Sequence, residues 1–426
     1  MKKEIITSSL TGDSCVHLKH KSGLDIYICE MPGFSTVNAY ISVKCGSVDT
    51  TFRTAGEKDF TTVPDGIAHF LEHKLFENEE CGVFEMFAKT GAYENAFTAD
   101  DRTCYLFSCT RSYQKNLRIL LSFIQNPYFT PENVEKEQGI IRQELQMVHD
   151  EPENRVFYNL LGGMYHSHPI KTDVGGTAES IAGIDAPLLY KCYNAFYNLN
   201  NMSLAIAGNI NPDEVLAICD EVLNPCSDNG LETLLPEEPE SIVIPEIYQQ
   251  ADIGAALFNI GYKCTPASGS ELLKKSTVAS LAADIITDAS TEMYQSLLDK
   301  GIINSTFGAE AFTGKGYFAL MFLGESPQPE KVREALVNEI ERLKREGVDE
   351  KLFRRTKRAC YGDFIRGLNN VNYVTGLMSN SFIRGIGTYD AIDIISAVTA
   401  DDINKFIITE LSSDKLVTSV MEGMAN

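Results

Sequence analysis

The stretch Gly66-Ile67-Ala68-His69-Phe70-Leu71-Glu72-His73-Lys74-Leu75-Phe76-Glu77 decides the fold. At about 3.6 residues per helical turn, His69, Glu72 and His73 stand at i, i+3 and i+4 and share one face. Ile67, Leu71 and Leu75 form an apolar row beside them. Two imidazoles one turn apart can grip a single zinc ion. The carboxylate between them stands where it can take a proton from water. The chain has 7 His in 426 residues, so His-x-x-Glu-His arises by chance in about one such sequence in a hundred. A helix with two unrelated histidines stays open until a third ligand is found elsewhere.

Working outward, 426 residues exceed one ordinary core and imply at least two domains. The composition, 44% hydrophobic and 23% charged, is that of a globular protein. With 37 Lys+Arg against 59 Asp+Glu the net charge is −22, which argues against nucleic acid or an anionic membrane surface as partner. The 11 Cys are scattered with no C-x-x-C pair, as expected of free thiols in a reducing compartment. No apolar run approaches the ~20 residues of a membrane span, and the N-terminus has no secretory h-region. A soluble, cytoplasmic protein is the expectation.

Residues 24–30 and 37–45 read as strands around the Pro32-Gly33 turn. Pro64-Asp65-Gly66 opens the key helix, with Asp65 as expected N-cap. A short helix (82–89), strands 92–98 and 103–109, and an amphipathic helix (112–125) follow. Thr130-Pro131 then supplies an N-cap and an N1 proline for a helix running to about His149. On it Val134, Glu137, Ile141, Glu144 and Val148 share one stripe. An unpaired buried carboxylate costs several kcal/mol, so these two acids face either a cation or water. His166-Ser167-His168-Pro169 lies in a Gly/Pro-rich loop without a neighbouring carboxylate or Cys, and a structural role is expected there.

The stretch 229–246, rich in Pro and acid, is the expected linker between a zinc-bearing domain (1–228) and a second domain (247–426). The second half repeats the order of the first: strand 253–261, helix 271–299, strands 303–312 and 316–323, helices 329–346 and 350–367. The halves read as diverged copies of one unit. His168 is the last histidine, so a histidine-bearing metal site can exist only in the first half.

The segments GIAHFLEHKLFE (66–77), GAYENAFTADDRTCYLF (91–107) and EKEQGIIRQEL (135–145) resemble, in order, the family of pitrilysin, insulin-degrading enzyme and the mitochondrial processing peptidases. His-x-x-Glu-His is its inverted zincin order. The chain looks most like the short bacterial members. The resemblance implies an α+β fold of two homologous α/β-roll domains, each an antiparallel-rich sheet packed with helices. It makes His69, His73 and Glu144 zinc ligands, Glu72 the general base and Glu137 a carboxylate supporting the ligand set. It makes Asn95 and Ala96 part of a substrate-binding edge strand, to which a peptide adds by main-chain hydrogen bonds. The implied activity is zinc-dependent endopeptidase action on peptides or unfolded segments in a closed chamber. The alternative is a non-catalytic assembly or recognition subunit of the same fold.

One departure bears on the partner. Relatives carry an Arg and a Tyr, seven residues apart, in the second half, where they bind substrate and stabilise the oxyanion. Leu298 and Ser305 occupy those places here. The resemblance therefore implies a heterodimer with a paralogue carrying the Arg/Tyr pair, or else a homodimer.

Overall fold

The computed structural model describes residues 3–77 and 82–423. The chain forms two compact units: Met1–Leu145, Asp173–Leu235 and Phe364–Asp390 in one, Gln146–Thr172, Pro236–Asp363 and Ala391–Asn426 in the other. Each takes a segment from the opposite half of the sequence, so the units do not coincide with the stretches 1–228 and 247–426. Each has its own apolar core.

The first unit is built on a seven-stranded sheet. From one edge its strands are Glu4–Thr7, Ser14–Lys19, Asp25–Glu30, Met202–Gly208, Val37–Val43, Thr103–Cys109 and Tyr93–Thr98. All pairs are antiparallel except Asp25–Glu30 with Met202–Gly208. The second unit has a five-stranded sheet in the order Glu246–Ala251, Leu416–Gly423, Leu257–Lys263, Tyr317–Glu325, Gly308–Gly314, in which only the first pair is parallel. Numbered along the chain within each half, the five shared strands lie in the order 1-5-2-4-3 in both sheets. This is the repeat that the sequence layout implied.

The exchanged segments include one helix each. Val371–Arg384, from the second half, lies on Met202–Gly208, Val37–Val43 and Asp25–Glu30 of the first unit. It buries Val371, Val374, Met378 and Phe382, and Ser379 Oγ meets Ser42 Oγ at 2.7 Å. Pro152–Met164, from the first half, lies on Leu416–Gly423, Leu257–Lys263 and Glu246–Ala251 of the second unit. Gly163 makes that approach possible, since an added Cβ would stand 2.7 Å from Val417 and 2.8 Å from Ile247. Met202–Gly208 is buried along its whole length, as expected of a strand covered on both faces.

Several local expectations are corrected. The N-cap of the key helix is Gly66, not Asp65; its φ of 87° is left-handed, and it makes no side-chain cap. The linker stretch holds structure: Glu232–Thr233 pairs with Thr51–Arg53, and Glu246 opens a strand. The strands placed at 253–261 and 303–312 lie at Leu257–Lys263 and Gly308–Gly314. Helix 271–299 is two helices, Gly269–Ile286 and Glu292–Asp299. Thr291 ends the break by accepting the Tyr294 N–H at 3.2 Å; such polar side chains bond nearby backbone and compete with a continuous helix.

Candidate metal centre

The key helix is Ile67–Leu75. Ile67, Ala68, Phe70, Leu71 and Leu75 are buried, the last two at 0% and 1% exposure, which leaves the face carrying His69, Glu72 and His73 at the site. Its start is locked against the loop at 173–180. The Ser180 hydroxyl donates to Asp65 O at 2.8 Å, and an added Cβ at Gly66 would fall 2.2 Å from Gly175 O.

The second helix at the site is Pro131–Asp150. Thr130 caps it, accepting the Asn133 N–H at 3.2 Å while Asn133 Oδ1 accepts the Thr130 N–H at 2.9 Å. Val134, Ile141 and Leu145 bury one face and hold it against the unit's core. The shared stripe then divides by depth: Glu137 is buried, while the Glu144 side chain is 44% exposed at the site's mouth.

His69, His73 and Glu144 converge, with one ligand atom from each lying within 4.8 Å of the others. Glu144 Oε1 is 3.8 Å from His69 Nε2, and Oε2 is 3.5 Å from His73 Nε2. Tetrahedral zinc with bonds of about 2.0–2.2 Å holds its ligand atoms roughly 3.3–3.6 Å apart, so the donor set fits zinc in chemistry and lies near the size it requires. This is the one cluster of metal-ligating groups among the described residues.

The surroundings prepare these groups. Burial and the neighbouring His73 push His69 down to about 4, leaving it neutral, as a ligand must be. His73 Nδ1 and Glu137 Oε1 are 2.9 Å apart. Burial works against the charge on His73, but Glu137 and the other carboxylates outweigh it and move its pKa upward. Lys74 is fully buried. It donates to Glu77 and to Asn133 O and stands 3.8 Å from Glu137 Oε2. Burial likewise opposes the charge on Glu137, but His73 and Lys74 prevail and hold its carboxyl below the usual range. Burial raises Glu72, which accepts the Thr98 hydroxyl at 2.6 Å.

Thr98 belongs to Tyr93–Thr98, the edge strand of the sheet. Its outer row is exposed at Tyr93, Asn95 and Phe97. Asn95 Oδ1 accepts the N–H of Ala96 at 2.9 Å, covering a donor of the edge. Asn95, Ala96, Glu72, His73 and Glu137 line one cavity of about 660 Å³.

Two other constellations are structural. Both ring nitrogens of His168 are engaged, Nδ1 accepting from Ile170 N at 3.1 Å and Nε2 lying 3.0 Å from Lys315 O. His166 stands beside it, facing Ser241. Ser22, His20 and Asp220 form a Ser–His–Asp chain. Ser22 is wholly buried, and its own N–H occupies His20 Nδ1, so it is no accessible nucleophile.

Residues 35–178 match the family profile described as Insulinase (Peptidase family M16), and residues 183–360 match that of the Peptidase M16 inactive domain. The uncharacterised zinc protease YmfH of Bacillus subtilis (strain 168) is 34% identical over 409 residues, 95% of each chain. The chain belongs to peptidase family M16. An M16-like peptidase from Alicyclobacillus acidocaldarius shares its fold at a TM-score of 0.93 and 31% identity, over 99% of both chains. Pitrilysin matches at a TM-score of 0.76 over 99% of this chain and 46% of its own; at 16% identity that likeness shows the fold alone. Sequence reading missed Lys74, the loop at Asp173 and the bond from Thr98 to Glu72, although Thr98 lies in the strand placed at 92–98. Lys74 had a readable signal, a lysine inside an otherwise buried helix face.

Proposed function

We propose that this M16 protein is a zinc endopeptidase with His69, His73 and Glu144 as ligands and Glu72 as general base. The observation that carries the reading is the convergence of those three donors around a spacing suited to zinc, with Glu72 bonded to the edge strand beside them. When bound, zinc supplies Lewis acidity toward a carbonyl oxygen and a water. Glu72, raised by burial, takes a proton from the attacking water and returns it to the leaving nitrogen. Thr98 fixes one Glu72 oxygen and leaves the other for that proton. Glu137 orients His73. A substrate segment adds to Tyr93–Thr98 as an extended strand, displacing the Asn95 carboxamide from the Ala96 N–H. Main-chain pairing of that kind sets conformation and leaves sequence choice loose.

The zinc set needs a partner to close a chamber around the peptide. Leu298 and Ser305, both exposed in the second unit, offer no guanidinium or phenol for the oxyanion. A paralogue with the Arg/Tyr pair fits that need better than a second copy of this chain. The non-catalytic reading leaves the buried support of Glu137 by Lys74 and the Thr98–Glu72 bond without a purpose.

The test is Glu72→Gln. Zinc content should be retained while hydrolysis of a peptide library falls ~10²–10⁴-fold. Near-wild-type turnover by zinc-loaded Glu72→Gln protein refutes the assignment.

A further inference from the structure

The outer nitrogens of the two imidazoles are held differently. His73 Nδ1 faces Glu137 at 2.9 Å, whereas His69 Nδ1 is buried with no hydrogen-bond partner. A buried polar group left unpaired is costly. Imidazoles that ligate a metal through one nitrogen donate the other N–H to an acceptor, which fixes ring and tautomer.

The loop that packs on the start of the key helix holds such an acceptor. An added Cβ at Gly175 would lie 3.5 Å from His69 Nδ1, 3.3 Å from Asp173 Oδ1 and 2.8 Å from Leu145 Cδ2. His69 Nδ1 and Asp173 Oδ1 therefore both border the space that a side chain at 175 would fill. Gly175 has no positive φ, so its backbone does not require glycine; the gap does. The loop is fixed as well: Asp173 Oδ1 accepts the Gly175 N–H at 2.8 Å, and Asp173 O accepts the Gly176 N–H at 2.8 Å.

We infer that Asp173 is a positioning residue for His69, its carboxylate accepting the Nδ1 proton directly or across one water in the space left by Gly175. His69 and His73 are then each backed by a carboxylate, Asp173 from the loop and Glu137 from the second helix. The inference rests on the zinc reading above and adds a residue to it.

Asp173→Asn keeps an oxygen for the Gly175 N–H while removing the charge. Zinc affinity is measured by chelator competition, with thermal unfolding of the zinc-free protein alongside. Asp173→Asn should bind zinc about tenfold more weakly, the low end of such outer-sphere effects, with the zinc-free unfolding midpoint unchanged. Gly175→Ala, which closes the gap, should give a similar loss. Zinc affinity of Asp173→Asn within twofold of wild type overturns the inference and leaves the zinc reading standing. A weakened affinity matched by a fall in the zinc-free midpoint also overturns it, because the role would then be loop stability. Failure of the wild-type protein itself to bind zinc defeats both.

Discussion

Replacing Glu238 by Gln should loosen a segment of the second unit far more than one surface charge would. The Glu238 carboxylate accepts three consecutive backbone donors, His166 N at 2.9 Å, Ser167 N at 2.8 Å and His168 N at 2.9 Å. Lys263 Nζ donates to it at 2.7 Å and also to Pro239 O and Ser241 O, with its side chain only 6% exposed. Burial opposes the charge, but Lys263 and the three amides overcome it and hold Glu238 at about 2, against an ordinary 4.5. Gln retains one acceptor oxygen and turns an NH₂ toward groups that are themselves donors. Hydrogen bonds to charged groups are worth about 1.5–3 kcal/mol each, and Lys263 keeps its two carbonyls, so a local loss of about 3 kcal/mol is expected. At 1.4 kcal/mol per tenfold, hydrogen exchange at 165–170 should accelerate roughly 100-fold at pH 7. Peptide-level exchange mass spectrometry reads this directly. Because the folded-state pKa is depressed, the stabilisation is present above about 4.5 and is lost as pH falls toward 2. After correction for intrinsic rates, wild type and Glu238→Gln should therefore converge in that window. A change under threefold at pH 7, or a difference that persists at pH 2, refutes the reasoning.

Other outcomes follow from the same geometry. Glu144→Gln should lower zinc occupancy sharply and Glu137→Gln by ~10–100-fold in affinity, while replacing His166 and His168 together should leave zinc bound; metal analysis decides. Gly66→Ala should lower the unfolding midpoint and weaken zinc binding, since φ is 87° and the new Cβ would stand 2.2 Å from Gly175 O; left-handed strain alone costs about 1–2 kcal/mol. Residues 1–235 expressed alone should be insoluble, and co-expression with 236–426 should restore a soluble pair, because each sheet is covered by a helix from the other half; a soluble, cooperatively unfolding single half would contradict this. The zinc-loaded chain should cleave peptides ~10²–10³-fold faster once a paralogue carrying the Arg/Tyr pair is added, the worth of one oxyanion donor. Equal rates with and without it would end the divided-labour idea.

The residues of the proposed zinc set were legible in the chain because their spacing is local. His69, Glu72 and His73 share a helix face by spacing alone, and Glu137 and Glu144 share a second stripe at seven residues. The duplicated layout was legible for a similar reason, since apolar periodicity marks strands and helices in both halves. What spacing could not give was which contacts form between segments distant in the chain. The N-cap passed from Asp65 to Gly66 because the loop at Gly175 packs so close that a side chain has no room. Glu137 and Glu144 look alike on the stripe; only the packed helix buries one against His73 and Lys74 and leaves the other at the mouth. Nothing in the spacing of Pro152–Met164 or Val371–Arg384 names the sheet that each helix covers. They cover the opposite sheets because hydrophobic burial is non-directional along the sequence, and only the assembled fold chooses which apolar faces meet.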